Sequence, residues 1–233
     1  MLLAGAIAAC TGSKSDAAAG ANAASTKPAS ATASSTATPE TTDPSQRPRV
    51  LFLGTSLTAG LGLEPDSAYP QQLQRKIDSA GLAFQVVNAG VSGETSAGLL
   101  RRLDWVLRQP AAVVVVETGA NDGLRGQSVA ATRATIGQVL ERVKREKPAA
   151  RVLLVQMEAP TNLGADYTTA FHAMFPTLAR EHGVVLLPFL LDGVAGKPAL
   201  NQADGVHPNY RGEAIVTENV WRGLEPALRA VGR

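Results

Sequence analysis

Five short aliphatic and β-branched runs constrain this chain more than any other feature: residues 50–53, 84–88, 113–117, 152–157 and 184–187. None shows strict in-out alternation, so each suits a strand buried on both faces of a parallel sheet. Amphipathic stretches at 70–80, 96–108, 129–146, 167–181 and 212–231 separate or follow them. In the third, Val129, Ile136, Val139, Leu140 and Val143 recur at helical spacing while Arg and Glu occupy the other face, the pattern of a helix lying on a sheet. Strand and helix alternating five times predicts an α/β domain over 47–233, with a five-stranded parallel sheet in the middle layer of three.

The residues before that domain read differently. Of the 36 residues from Thr11 to Gln46, 29 are Ala, Ser, Thr, Gly or Pro, and none is Val, Ile, Leu, Met or aromatic. Such a segment has too little apolar surface to offset the entropy of ordering it, so 11–46 is expected to be a disordered tether. Ahead of it, residues 1–10 form a short apolar run ending at the only cysteine, Cys10. The residues Ile7-Ala8-Ala9-Cys10 resemble the lipobox of bacterial lipoprotein signals, which implies lipidation at Cys10, export, and a periplasmic or cell-envelope location on a membrane anchor. No Lys or Arg precedes Cys10. That leaves two readings, a start upstream of Met1 or an incidental thiol in a disordered terminus.

Several function classes are disfavoured. A net charge of +2 gives no electrostatic footprint for nucleic acid. No apolar run reaches the roughly 18 residues of a membrane span. One cysteine and three histidines, without H-E-x-x-H spacing, supply no metal cage. The Gly-rich turn after the first run, Gly54 to Gly62, fails the dinucleotide pattern because Pro65 stands where a third glycine belongs. The only Gly-Lys pair, Gly196-Lys197, precedes Pro198 and lacks the phosphate-loop spacing.

In open parallel sheets, ligands bind beyond the carboxyl ends of the strands, near the point where strand order reverses. Ser56 follows the first run on a tight turn, as a helix cap or as a presented hydroxyl. Gly90 follows the second, where the lack of a side chain lets a backbone amide face a crevice. Asn121 follows the third, in an Asn-Asp-Gly sequence that also suits an Asx turn. Asp204 lies three residues before His207, within reach of its imidazole, although a solvated loop histidine is the plainer reading. His172 and His182 fall in or at the end of a predicted helix and are assigned to packing or surface. Acyl transfer needs a nucleophile, a base, an orienting acid and oxyanion donors. Ser56, His207 and Asp204 fill the first three roles, and the amides of Ser56 and Gly90 with the Asn121 side chain fill the last.

These four blocks resemble those of the SGNH (GDSL-type) hydrolases, named for the Ser, Gly, Asn and His that correspond here to Ser56, Gly90, Asn121 and His207. The segments 87–95, 117–126 and 204–209 are most similar to the exported bacterial thioesterase, protease and lysophospholipase (arylesterase) subgroup. The resemblance implies a flavodoxin-like sheet, no metal or organic cofactor, and hydrolysis of small ester or thioester substrates through an acyl-serine. It also implies that 91–103 and 123–128 border the acyl pocket, with Leu99, Leu100, Leu124 and the region of Leu163 as apolar candidates. The first block departs from Gly-Asp-Ser-Leu in having Thr55. The usual aspartate there is not the triad acid, and a hydroxyl can hold the same turn by hydrogen bonding. Two other readings stay open, a carbohydrate O-acetyl esterase of the cell envelope and a non-catalytic surface binding lipoprotein. A monomer is the default.

Overall fold

The computed structural model describes residues 46–231; Cys10, the lipobox-like segment and the spacer through residue 45 lie outside them. Five parallel strands, β1 Arg49–Gly54, β2 Gln85–Gly90, β3 Val113–Val116, β4 Arg151–Gln156 and β5 Val185–Phe189, form one sheet in the order β2-β1-β3-β4-β5. Helices α3 Ser96–Val106, α5 Val129–Glu146 and α6 Ala165–His182 pack in sequence against one another. The helices α2 Tyr69–Ser79 and α7 Tyr210–Val231 pack together as a second layer. This is the predicted three-layer fold in the flavodoxin-like strand order.

Burial explains why the sheet was legible. Val50 to Leu53 and Val113 to Val116 are fully buried, as central strands covered on both faces must be. The edge strands β2 and β5 are only partly buried. Strand β2 runs on through Gly90 instead of stopping at Asn88, because Gly54 and Gly90 continue its register with β1. Strand β3 ends at Val116 and releases Glu117. Helix α7 starts at Tyr210, two residues earlier than expected, where Asn209 Oδ1 accepts from the amides of Arg211 (3.0 Å) and Gly212 (3.2 Å). Two short helices, α1 Ser56–Ala59 and α4 Ala120–Leu124, were not predicted; four or five residues are too few to show a helical period. Among the described residues, no helix is long and apolar enough to cross a membrane.

One contact between α2 and α7 carries a pH signature. Glu213 is buried on α7, and its Oε2 accepts from the Tyr69 amide at 2.7 Å at the start of α2, where no local side chain caps the helix. Burial pushes the Glu213 carboxyl up to about 8 from an ordinary 4.5, against a smaller lowering by the Tyr69 amide. Between those values the unfolded chain gives up this proton while the folded one keeps it. Stability therefore declines as pH rises from about 4.5 to about 8. Glu213→Gln should flatten that decline and raise the melting temperature at pH 8 by at least about 2–4 °C, the shift expected for about 1 kcal/mol in a domain of this size; thermal melts of both proteins across this range check it.

Candidate active site

Strand order reverses between β1 and β3, so the loops leaving these two strands border the crevice where such sheets bind ligands. Strand β1 ends at Gly54, Thr55 caps α1, and Ser56 is the first residue of that helix. As a first-turn residue, Ser56 has no carbonyl four residues back within the helix for its amide. Gly54 admits no side chain, because a Cβ there would lie 1.9 Å from Thr58 Oγ1 and 2.8 Å from Glu117 Oε2.

Beneath this turn sits Glu117, the residue β3 releases, with no solvent exposure. Its Oε2 accepts from the Thr55 amide at 2.7 Å and from Thr58 Oγ1 at 2.9 Å, and the Thr55 hydroxyl lies 2.9 and 3.0 Å from its two oxygens. Thr58 Oγ1 has a single proton, which it gives to Glu117, so the Tyr69 hydroxyl at 2.7 Å donates to it in turn. Burial raises the Glu117 pKa, while these hydrogen bonds pull it back down. Thr55 thus supplies two donors to a carboxylate at the position where the usual family residue is itself an acid. Sequence reasoning placed Glu117 only as the end of a strand and missed it as the anchor of the turn.

The structure brings Ser56, His207 and Asp204 into one hydrogen-bonded chain. Ser56 Oγ is 2.8 Å from His207 Nε2, and His207 Nδ1 is 2.6 Å from Asp204 Oδ2. Asp204 Oδ1 accepts from the amides of Val206 (2.9 Å) and His207 (3.0 Å). The His207 and Val206 amides, then the His207 ring, hold the Asp204 carboxyl at about 2, below its ordinary 3.8. An ionised Asp204 is acceptor only, so Nδ1 carries the imidazole proton and Nε2 accepts from the Ser56 hydroxyl. The loop is pinned by a bridge between Asn201 and Pro208 and by the Gln202 amide on the His207 carbonyl at 2.7 Å. Gln202 Nε2 donates to Leu61 O (2.7 Å) and Pro208 O (2.9 Å), tying this loop to the turn behind Ser56.

The candidate oxyanion donors are placed less uniformly. Asn121 lies on α4 and lines the same cavity as Ser56 and His207, with Nδ2 donating to Glu94 O at 3.0 Å. That leaves its second amide proton for a ligand. Gly90 abuts α1 so closely that a Cβ would lie 2.4 Å from the Ala59 nitrogen. Its own amide donates to Asn88 Oδ1 at 2.9 Å, while Asn88 Nδ2 donates to Thr58 O at 2.7 Å. Two further ties went unread in the sequence. Arg102 clamps the Glu94 carboxylate through Nε and a terminal nitrogen and donates to Ala89 O at 2.7 Å. Buried Asp122 accepts from Ser96 N (2.8 Å) and Ser96 Oγ (2.6 Å).

A cavity of about 700 Å³ opens onto Ser56, Asn121 and His207, with Leu61, Leu124, Met157, Phe189, Leu191 and Val206 among its apolar lining. Leu124 was expected there, but Leu99 is fully buried core and Leu100 packs against that core. Around the expected Leu163, the wall is made by Pro160, Thr161 and Asn162. His172 was assigned to packing or surface, and it lies 2.7 Å from the carboxylate of Glu158, a cavity-lining residue.

A serine, histidine and aspartate in series at the switch point of a flavodoxin-like sheet, opening on an apolar cavity, form the arrangement that a serine-hydrolase site requires. The GDSL-like lipase/acylhydrolase family matches residues 52–215, and the chain belongs to it. Esterase TesA of Pseudomonas aeruginosa is 38% identical over 180 residues, covering 77% of this chain and 89% of that protein. Thioesterase 1/protease 1/lysophospholipase L1 of Escherichia coli K12 is 40% identical over 180 residues, covering 77% and 84%. The crystal structure of TesA matches with a TM-score of 0.73 at 37% identity, covering 77% of this chain and 99% of that one. The protein is a carboxylic ester hydrolase.

Glu117→Gln keeps the shape of the anchor but turns an amide donor toward groups that already donate. The variant should lose about 1–3 kcal/mol of stability and show a lower kcat with little change in KM, as measured by chemical denaturation and ester hydrolysis.

Proposed function

We propose that Ser56 is the nucleophile of this esterase, with His207 as general base and Asp204 as the group that orients it. The observation that carries this reading is the 2.8 Å contact of Ser56 Oγ with His207 Nε2, backed by the 2.6 Å contact of Nδ1 with Asp204, at the mouth of an apolar cavity. Ser56 Oγ attacks the carbonyl carbon as its proton passes to Nε2, and ionised Asp204 stabilises the resulting imidazolium. The oxyanion is received by the Ser56 amide, the free Asn121 amide proton and the Gly90 N–H, the last shared with Asn88 Oδ1 in a three-centre bond. His207 protonates the leaving alcohol or thiol, leaving an acyl-serine, and then activates water to release the acid.

The apolar lining suits short to medium acyl chains and aryl esters. The names of the relatives extend the proposed range to acyl thioesters and lysophospholipids. We further propose that residues 1–10 are a lipoprotein-type signal segment and 11–46 a tether to a monomeric hydrolase domain over 47–233, exported to the cell envelope. The support is Ile7-Ala8-Ala9-Cys10 followed by the low-complexity spacer. Cys10→Ala should then move esterase activity from the membrane fraction to the soluble fraction and abolish incorporation of labelled fatty acid.

A fluorophosphonate probe should label the protein and fail on Ser56→Ala; persistent labelling of that variant would falsify the nucleophile assignment. Asn121→Ala should lower kcat by about 10²–10³-fold and Asp204→Asn by up to about 10⁴-fold, both read from steady-state hydrolysis of p-nitrophenyl esters.

A further inference from the structure

Apart from His207, the side chains lining the cavity include a single titratable one, Glu158; no Lys, Arg or Asp is among them. Glu158 follows β4, two residues beyond Gln156, and its side chain is about one-third exposed at 31%. It is held in place. Oε1 accepts from Gln156 Nε2 at 3.1 Å and lies 2.7 Å from His172 Nδ1. Gln156 is itself buried, and its two amide protons are shared between Glu158 and the carbonyls of Met157 and His172, which lie 3.2 Å away each. Both contacts fall on Oε1, so among the described residues Oε2 is left for a ligand. The neighbouring strand brings an aromatic ring to the same wall, because Phe189 pairs with Gln156 in the sheet and lines the cavity.

A braced carboxylate in a cavity that an aromatic ring also lines, and whose other walls away from His207 are neutral, is suited to an alkylammonium group. The same carboxylate repels carboxylates and phosphates. We propose that Glu158 makes this hydrolase selective for carboxylic esters and thioesters that carry a cationic alkylammonium group, and that it disfavours anionic esters. The proposal rests on the hydrolase reading of Ser56 and deepens it. It is a claim about substrate binding, so the readout is a ratio of two substrates in each protein.

The test compares butyrylthiocholine with its uncharged isostere, 3,3-dimethylbutyl thiobutyrate, and with anionic butyryl-CoA, on the full chain. Wild type should favour the cation over the isostere by about five- to twentyfold in kcat/KM, a preference that shrinks as salt screens the carboxylate. Glu158→Gln should bring the ratio close to one. Glu158→Lys should invert it and raise relative turnover of butyryl-CoA. A wild-type ratio near one, or a ratio that survives in Glu158→Gln, overturns the proposal while leaving the esterase intact. Failure to hydrolyse either thioester, together with no fluorophosphonate labelling, would strike at Ser56 instead and take the selectivity down with it.

Discussion

The buried carboxylate of Glu117 is the contact on which the geometry of this site depends. Taking a carboxyl out of water is costly, and burial raises its pKa accordingly. Three donors from one short turn, the Thr55 amide and the hydroxyls of Thr55 and Thr58, offset that cost. The same three bonds fix the turn from which Ser56 projects. Because Glu117 leaves β3 and the turn leaves β1, the contact also joins the two strands on either side of the switch point. A carboxyl group is better suited to this task than a methyl cluster, since its hydrogen bonds fix the direction of each partner as well as its distance.

Glu117 illustrates why some of the site was legible in sequence and some was not. The central strands announced themselves because covering on both faces leaves uninterrupted valines and leucines, as in Val113 to Val116. Ser56, Asn121 and His207 stand out in the sequence because each follows a strand or sits beside an acid at a spacing with chemical meaning, and they line one cavity. Glu117 ends a valine run, where an acid reads as the point at which the strand meets water, and only the fold reveals that Thr55 and Thr58 stand over it. Glu158 and His172 are 14 residues apart, so a loop and part of a helix must be placed before they meet. The Asn88 contact with the Gly90 amide was hidden for another reason. It is local, but a side chain bonding two residues ahead inside a strand has no signature in apolar periodicity.

The loop carrying Asp204 and His207 shows how an imidazole is kept in place without a covalent tie. Asp204 spends one oxygen on two amides of its own loop and the other on the imidazole, so the acid organises the loop and the ring together. Gln202 extends that unit to the far side of α1 by bonding Leu61 O and Pro208 O. Serine and histidine are 151 residues apart in sequence, yet the Gln202 side-chain amide, carried by the His207 loop, braces that loop against the turn behind Ser56. These bonds join the two loops beside the short Ser56–His207 contact.

The parallel sheet has a directional consequence. Every strand begins at one edge and delivers its loop to the other, and β1 begins at Arg49, three residues after the first described one. The six residues of β1 separate the domain's point of entry from the Ser56 turn by about 20 Å at roughly 3.3 Å per residue. A resin, a fusion partner or a surface-display carrier attached ahead of Arg49 therefore joins the domain at the edge remote from the cavity mouth, which makes this end the natural handle for immobilising the catalyst.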